Sequence, residues 1–211
     1  MCWSATADLA AGSAVAAVGV ACVALVRSGR ELPLAALPLL LGAHQIVESA
    51  VWRSGGGGGP ATVAWAVMAL PVPALWVPAG VMCVAPPHAR LRLVLPLAAG
   101  AVTAALLACG LAGDPVTAEI RGHTVGYALH VSPVVPLVVG YLLATVGSLL
   151  LSGDRRLLVL GVLAAVGAAV CWALWRLEFV STWCAFAALC SVVLFGWVRA
   201  RRMSAGARSG A

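Results

Sequence analysis

The sequence predicts an all-α integral membrane bundle of seven transmembrane helices, and three observations support this fold class. Of the 211 residues, 63% are hydrophobic and 9% are charged, with a mean hydropathy of +1.04, whereas soluble domains are nearer half apolar. Seven apolar segments are each about long enough to cross a bilayer. The arginines lie mostly in alternate connections between these segments, which is typical of membrane orientation.

The seven apolar segments form one predicted domain over residues 1–198, and residues 199–211 are expected to be a basic, disordered cytoplasmic tail. Pro71, Pro73 and Pro78 predict that the third segment is bent or broken, because proline removes a backbone donor. The five consecutive glycines between the second and third segments predict a flexible turn. In chain order the segments cover roughly residues 5–26, 33–52, 61–85, 91–112, 133–152, 157–176 and 180–198.

The arginine distribution predicts the orientation. With seven spans and the N-terminus outside, ten arginines face the cytoplasm and only Arg53, Arg121 and Arg176 face outward. Six or eight spans would destroy this alternation. No basic residue precedes the first segment, so it is interpreted as an uncleaved span. The ten inward arginines are Arg27, Arg30, Arg90, Arg92, Arg155, Arg156, Arg199, Arg201, Arg202 and Arg208.

The longest connection, roughly residues 114–132, fits two structures. Residues 116–131 fit a β-hairpin that turns near Arg121-Gly122. His123, Tyr127 and His130 also lie at helical spacing, so the second half fits an extension of the fifth helix. The helical alternative is favoured here, with this half folding over the mouth of an outward pocket.

The basic residues exclude two cofactors and one class of partner. All 13 are arginines, so no lysine side chain is present to form a Schiff base, and retinal and pyridoxal phosphate are excluded as covalently bound cofactors. The net charge of +6 arises from short clusters between apolar segments. These clusters indicate the lipid bilayer, and no nucleic acid, as the partner.

The second segment carries the candidate site. An ionisable residue at mid-helix costs about 2.5–3.5 kcal/mol to insert, so such residues are usually functional. His44, Glu48 and Trp52 fall on one helical face, with Gln45 and Ser49 beside them. We expect these residues, together with Arg176 and Trp183, to line an outward-facing polar pocket built on the second, sixth and seventh helices.

Three interpretations of this site remain open. His44 and Glu48 have the spacing of two metal ligands on one helix, and an outward site would suit zinc or copper. The remaining ligands would come from His130, His123, Cys184 or Cys2. Alternatively, the residues form an organic-ligand or proton site, or they form a structural network in which Glu48 pairs with Arg176 and His44 hydrogen-bonds a neighbouring helix.

The seven cysteines contain no Cys-x-x-Cys motif, so thioredoxin-like and haem-attachment sites are not indicated. Cys22, Cys83, Cys171 and Cys190 are interpreted as small buried apolar residues. Cys2, Cys109 and Cys184 lie toward the outside, where Cys2–Cys184 is the first candidate for a disulfide. The tryptophans near the sixth and seventh helices, including Trp183, also fit an interfacial aromatic belt.

Three stretches resemble an uncharacterised family of bacterial and archaeal polytopic membrane proteins. They are MCWSATADLAAG at the start, LLLGAHQIVESAVW in the second helix and FVSTWCAFAALCS in the last helix. Trp3 and Ala185 depart from the family pattern, which has Phe and an aromatic residue there. The resemblance implies a shared fold and no established activity. We expect the protein to lie in the bacterial cytoplasmic membrane.

The sequence therefore predicts a binding protein of sensor or transporter type that holds a metal ion or small polar ligand at His44, Glu48 and Arg176. A membrane-embedded metal-dependent enzyme is the first alternative, with His44 as a ligand and Glu48 as a ligand or general base. An accessory subunit with a purely structural polar network is the second.

Overall fold

The computed structural model describes residues 4–114, 116–129, 132–174, 179, 182–183, 186, 188 and 190–209, the last of these from 204 onward as backbone. Helices account for 79% of the structure, which confirms the all-α class. The helices that the structure describes from end to end are α1 (Ala5–Leu25), α2 (Leu32–Arg53), α3 (Pro60–Val84), α4 (Pro87–Gly113), α5 (Val134–Leu150), α6 (Arg155–Leu174) and α7 (Ser191–Ser209). The strands are β1 (Thr117–Arg121) and β2 (Thr124–Ala128).

Five of the described helices are long and apolar enough to cross a membrane, namely α1, α2, α3, α4 and α6. The apolar helix α5 is shorter and contains a π-helical stretch at Leu143–Gly147. Large apolar side chains point away from the bundle, among them Leu91 at 84% exposure and Val135 at 72%. Such a surface is compatible with a membrane protein, since soluble monomers rarely expose large continuous apolar patches.

The prolines interrupt α3 where the sequence predicts a break. One helical stretch, Pro60–Ala69, ends before Leu70, and a second, Pro71–Val84, follows it with Pro78 in its interior. Helix α2 is likewise divided by a turn at Ala36 into Leu32–Ala35 and Leu37–Arg53. Leu70 directly precedes Pro71, and Ala36 is next to Leu37, which precedes Pro38. The helical conformation is disfavoured at residues that precede a proline.

The connection between α4 and α5 is a β-hairpin, so the favoured helical alternative for its second half is wrong. Strands β1 and β2 pair antiparallel, with Ala118 opposite Tyr127 and Ile120 opposite Val125. These apolar and aromatic side chains alternate with polar residues, so one face of the hairpin packs on the bundle. Gly122 turns the chain with a φ of 61°, a value that favours glycine.

Helices α1 and α2 pack so closely that glycine is needed at their contact. A Cβ on Gly42 would lie 2.6 Å from the backbone nitrogen of Ala16, and one on Gly12 would lie 2.8 Å from the carbonyl oxygen of Gly42. Asp8 lies one turn before Gly12 on the same face of α1. The close packing therefore holds Asp8 against α2.

A polar network joins the ends of several helices near the arginine-rich connections. The indole Nε1–H of Trp197 donates to Oδ2 of Asp154 at 2.9 Å. Arg201 lies 3.5 Å from Glu31 and 3.9 Å from Asp154. The first and fifth interhelical connections thus meet the end of α7, and this arrangement is consistent with the predicted alternation of ends.

Helix α7 continues to Ser209. Residues 199–209 are therefore helical in the structure, where the sequence analysis expects a disordered tail. The ion pairs of Arg201 tie the first turn of this part of α7 to Glu31 and Asp154.

A buried polar cluster beneath the hairpin

The polar residues of the second segment point into the protein. His44 is 1% exposed, Gln45 is 2% exposed and Glu48 is fully buried. They lie on the helical stretch Leu37–Arg53, whose opposite side includes the exposed residues Ile46 and Ala50. The amphipathic arrangement of α2 thus directs its ionisable groups away from the exposed side of the helix.

Asp8 of α1 joins this face of α2. Its carboxyl oxygen Oδ2 accepts a hydrogen bond of 2.9 Å from the indole Nε1–H of Trp52, and the residue is fully buried. The carboxyl groups of Asp8 and Glu48 are close enough to interact electrostatically. Two acidic side chains from different helices therefore share one buried region.

The hairpin and α3 cover this region. The hydroxyl of Tyr127 in β2 donates to Oε1 of Glu48 at 3.3 Å. The Tyr127 ring stacks on the indole of Trp65, with centroids 3.4 Å apart and planes 3° from parallel, and the Trp65 ring lies 5.1 Å from His44. We refer to the six residues linked in this way as the polar cluster: Asp8, His44, Glu48, Trp52, Trp65 and Tyr127.

Several polar atoms of this region are buried without a hydrogen-bond partner. Among the residues that the structure describes, six buried side-chain atoms have none. Five of these lie in or directly beside the polar cluster, and the sixth is the hydroxyl of Ser191. An unpartnered buried polar atom costs about 1–3 kcal/mol, so the protein bears a substantial cost here. The five atoms are Oδ1 of Asp8, Nδ1 and Nε2 of His44, Nε2 of Gln45 and Nε1 of Trp65.

His44 also lines a cavity of about 90 Å³ inside the bundle. The other polar side chains of the cavity wall donate to backbone oxygens: Tyr141 to Ala69, Thr145 to Tyr141 and Trp183 to Ala164. The rest of the wall is apolar and comes mainly from α2, α3, α5 and α6. The imidazole of His44 therefore borders both the apolar cavity and the other residues of the polar cluster.

The structure brings some of the predicted site residues together. Trp183 lines the same cavity as His44 and is only 7% exposed, so it is a core residue and not part of an interfacial aromatic belt. Trp52 contacts the site through Asp8. Arg176, Cys2, His130 and Cys184 lie outside the described residues, so the pairing of Arg176 with Glu48 and the Cys2–Cys184 disulfide stay predictions.

The predicted metal site is not assembled by the described residues alone. Within them, no group of three or more His, Cys, Asp or Glu side chains is placed to hold a metal ion. His44 and Glu48 would need ligands from Cys2, His130 or Cys184. Among the remaining cysteines, Cys22, Cys171 and Cys190 are buried as expected, whereas Cys83 is exposed.

The sequence does not assign Asp8 and Trp65 to the site, and it places Tyr127 only in the segment expected to fold over the mouth of the pocket. Asp8 carried a usable signal, because it is an acidic residue within an apolar segment, which is the criterion that identified Glu48. Trp65 carries no comparable local signal. Tyr127 is 79 residues from Glu48 in the chain, so only the tertiary structure brings them together.

The fold and the cluster define an all-α chain with membrane-length helices and buried ionisable groups. The model of DUF6629, a family of unknown function, matches residues 1–209, and the chain belongs to this family. This confirms the resemblance to an uncharacterised family. No curated protein and no solved structure matches the chain.

Proposed function

We propose that this chain is a seven-span protein of the bacterial cytoplasmic membrane, of sensor or transporter type, that binds a small polar ligand at the polar cluster. The arginine distribution supports an orientation with the N-terminus outside. The cluster then occupies the outer half of the bundle. Because Glu48 and Asp8 are fully buried below the hairpin, a ligand from outside gains access when the hairpin moves.

The observation that carries this proposal is the set of five unpartnered atoms in and beside the cluster. Buried polar groups that serve only stability are normally hydrogen-bonded, and a half-satisfied network is less favourable than an apolar core. The arginine-rich end of the same chain contains a network with multiple partners, in which Asp154 and Arg201 each have several contacts. The contrast favours a binding site over a structural network.

The chemistry of the unpartnered atoms favours a small polar ligand over a bare metal ion. The indole nitrogen of Trp65 and the amide nitrogen of Gln45 are hydrogen-bond donors, and Oδ1 of Asp8 is an acceptor when the carboxyl group is ionised. A ligand with both donors and acceptors would satisfy all three. A metal ion would use only the acceptors.

A zinc or copper ion is the second candidate ligand, because His44 and Glu48 retain the spacing of two ligands on one helix. This candidate requires Cys2, His130 or Cys184 to complete the coordination. Identification of the bound species, as a metal ion or as a small polar molecule, distinguishes the two candidates.

Mass spectrometry of the purified protein tests the proposal. We expect protein purified in mild detergent to carry a bound small molecule in native mass spectra, or a stoichiometric metal in elemental analysis. His44→Ala and Glu48→Gln should weaken binding by at least about tenfold in Kd, since the loss of a polar group or of a charge at the site costs on the order of 1.4 kcal/mol.

Asp154→Asn is the matched control for Glu48→Gln, because Asp154 is a carboxyl group that accepts a hydrogen bond from an aromatic side chain, the indole of Trp197 at 2.9 Å, at the other end of the bundle. It should keep the bound species. The proposal is wrong if the wild-type protein binds neither a small molecule nor added Zn²⁺ or Cu²⁺, or if the two site variants retain what the wild type binds.

A further inference from the structure

Helix α7 presents its basic residues on two different faces. Leu194, Trp197 and Arg201 lie on the face that packs into the bundle, where Leu194 and Trp197 are each 1% exposed. A second face carries four residues at helical spacing, and it is turned toward the end of α1. These four residues are Phe195, Arg199, Arg202 and Met203.

The acidic residues near this end are engaged by the first face. Arg201 lies 3.5 Å from Glu31 and 3.9 Å from Asp154, and its guanidinium group lies 4.8 Å from the Trp197 ring centroid. Arg201 therefore has two carboxylates and an aromatic ring as partners. These two carboxylates are thus already paired with the first face.

The second face of α7 forms a groove with the end of α1. The groove has a volume of about 520 Å³ and three arginines in its wall, Arg27, Arg199 and Arg202. Within the described part of the chain, none of the three makes an ion pair with an acidic residue. The remaining wall is apolar and consists of Leu25, Phe195 and Met203.

We propose that this groove binds the phosphate headgroup of an anionic phospholipid. Three guanidinium groups repel one another unless an anion lies between them, and the planar fork of arginine suits phosphate oxygens. The volume lies within the usual range of small-molecule sites. The three apolar residues would contact the first part of the acyl chains.

The position of the groove favours a lipid over free phosphate. Helix α1 is of membrane-spanning length and ends at Leu25, so Arg27 follows its end by two residues. Arginines at such positions lie at headgroup level, where anionic lipids attract them. An apolar wall beside the arginines would offer nothing to a free phosphate ion.

The test uses the full chain in nanodiscs of phosphatidylcholine, with phosphatidylglycerol added as the probe and retention measured by native mass spectrometry. We expect Arg27→Gln/Arg199→Gln/Arg202→Gln to weaken retention of phosphatidylglycerol by on the order of 100-fold, at about 1 kcal/mol for each arginine. The control triple, Arg30→Gln/Arg92→Gln/Arg155→Gln, removes the same charge from exposed arginines outside the groove. It should retain the lipid within about threefold of the wild type.

Three outcomes would overturn the proposal. Equal losses of phosphatidylglycerol retention in the two triple variants would show that the lipid is attracted only by the total positive charge at the arginine-rich end of the bundle. Undiminished retention in the groove variant would show that the groove binds no headgroup. If millimolar inorganic phosphate displaces phosphatidylglycerol from the groove, the groove is a site for a free anion. Circular dichroism of both variants checks that each remains folded, and failure of this test leaves the polar cluster unaffected.

Discussion

The imidazole of His44 lies fully inside the bundle, and within the described residues neither of its ring nitrogens has a hydrogen-bond partner. An indole stands on one side of the ring and an apolar cavity on the other. A leucine of similar size would suit this environment better if stability alone mattered. A buried polar residue without hydrogen-bond partners is expected at a functional site, where stability is not the only requirement.

Replacement of His44 by leucine should therefore stabilise the ligand-free protein while abolishing ligand binding. The free energy of unfolding should rise by about 1–3 kcal/mol, because the unpartnered polar group is removed and an apolar side chain takes its place. Reversible unfolding in mixed micelles, titrated with a denaturing detergent, measures the change.

His88→Leu is the control, since His88 is exposed in the first turn of α4. It should change the unfolding free energy by no more than about 0.5 kcal/mol. A loss of stability in His44→Leu would mean that the imidazole has a partner the binding hypothesis does not include.

At the residue scale, the sequence identifies those site residues whose type is unusual in an apolar segment. His44 and Glu48 are ionisable groups in an apolar segment, and both are buried as expected. Trp65 is a common residue in an apolar helix, and its contacts with Tyr127 and His44 follow from how helices and hairpin pack. A local pattern cannot reveal such partners.

The hairpin is held in place by the glycine-rich connection between α2 and α3. The N–H of Gly57 donates to the carbonyl of Ala118 at 2.8 Å, and the N–H of Ala118 donates to the carbonyl of Gly57 at 3.0 Å. Gly55, Gly56 and Gly57 all have positive φ angles, of 75°, 83° and 80°. The glycine run thus has a defined conformation that pairs with β1, beyond the flexible turn that the sequence predicts.

Gly56→Ala should loosen the hairpin and expose the polar cluster. A Cβ at this position would lie 2.6 Å from the carbonyl oxygen of Ala118, and the φ of 83° is itself unfavourable for alanine. The expected strain of about 1–3 kcal/mol should speed amide hydrogen exchange in Thr117–Ala128 by roughly tenfold. Hydrogen–deuterium exchange with mass spectrometry measures this.

Gly59→Ala is the matched control within the same connection. Gly59 has a φ of −71°, and a Cβ added there would have no heavy atom within 4 Å outside its chain neighbours, so alanine should leave the hairpin unchanged. Exchange in Gly56→Ala as slow as in Gly59→Ala would show that the glycine run does not hold the hairpin.

At the element scale, the sequence predicts the helices well because a span needs a long apolar segment. The break in α3 follows from its prolines. The hairpin is not predicted, since the residues of this connection fit both a helical and an alternating pattern. Its pairing with Gly57, more than fifty residues earlier, is a non-local contact that local periodicity does not contain.

At the scale of the whole molecule, the two groups of polar residues differ in kind. The network around Asp154 and Arg201 joins three parts of the chain through ion pairs and an indole hydrogen bond. The cluster around His44 and Glu48 retains unpartnered atoms. If the arginine-rich end faces the cytoplasm, the partnered network fixes the inner side and the cluster remains available to ligands from outside.

The proposed orientation can be tested with cysteines placed at both ends of the bundle. The parent protein would have its seven native cysteines replaced by alanine. His123→Cys lies in the exposed hairpin turn, and Gly29→Cys lies in the exposed connection after α1. A third variant carries a cysteine appended after Ala211.

A membrane-impermeant maleimide applied to intact cells should label His123→Cys, because the hairpin is expected to face outward. The other two cysteines should react only after the cells are permeabilised, since three spans separate each of them from the hairpin in the seven-span arrangement. Labelling of only Gly29→Cys and the appended cysteine in intact cells would reverse the orientation and place the polar cluster toward the cytoplasm. A third outcome in intact cells is labelling of both the appended cysteine and His123→Cys while Gly29→Cys stays protected. This outcome would mean an even number of spans and would exclude the seven-span count.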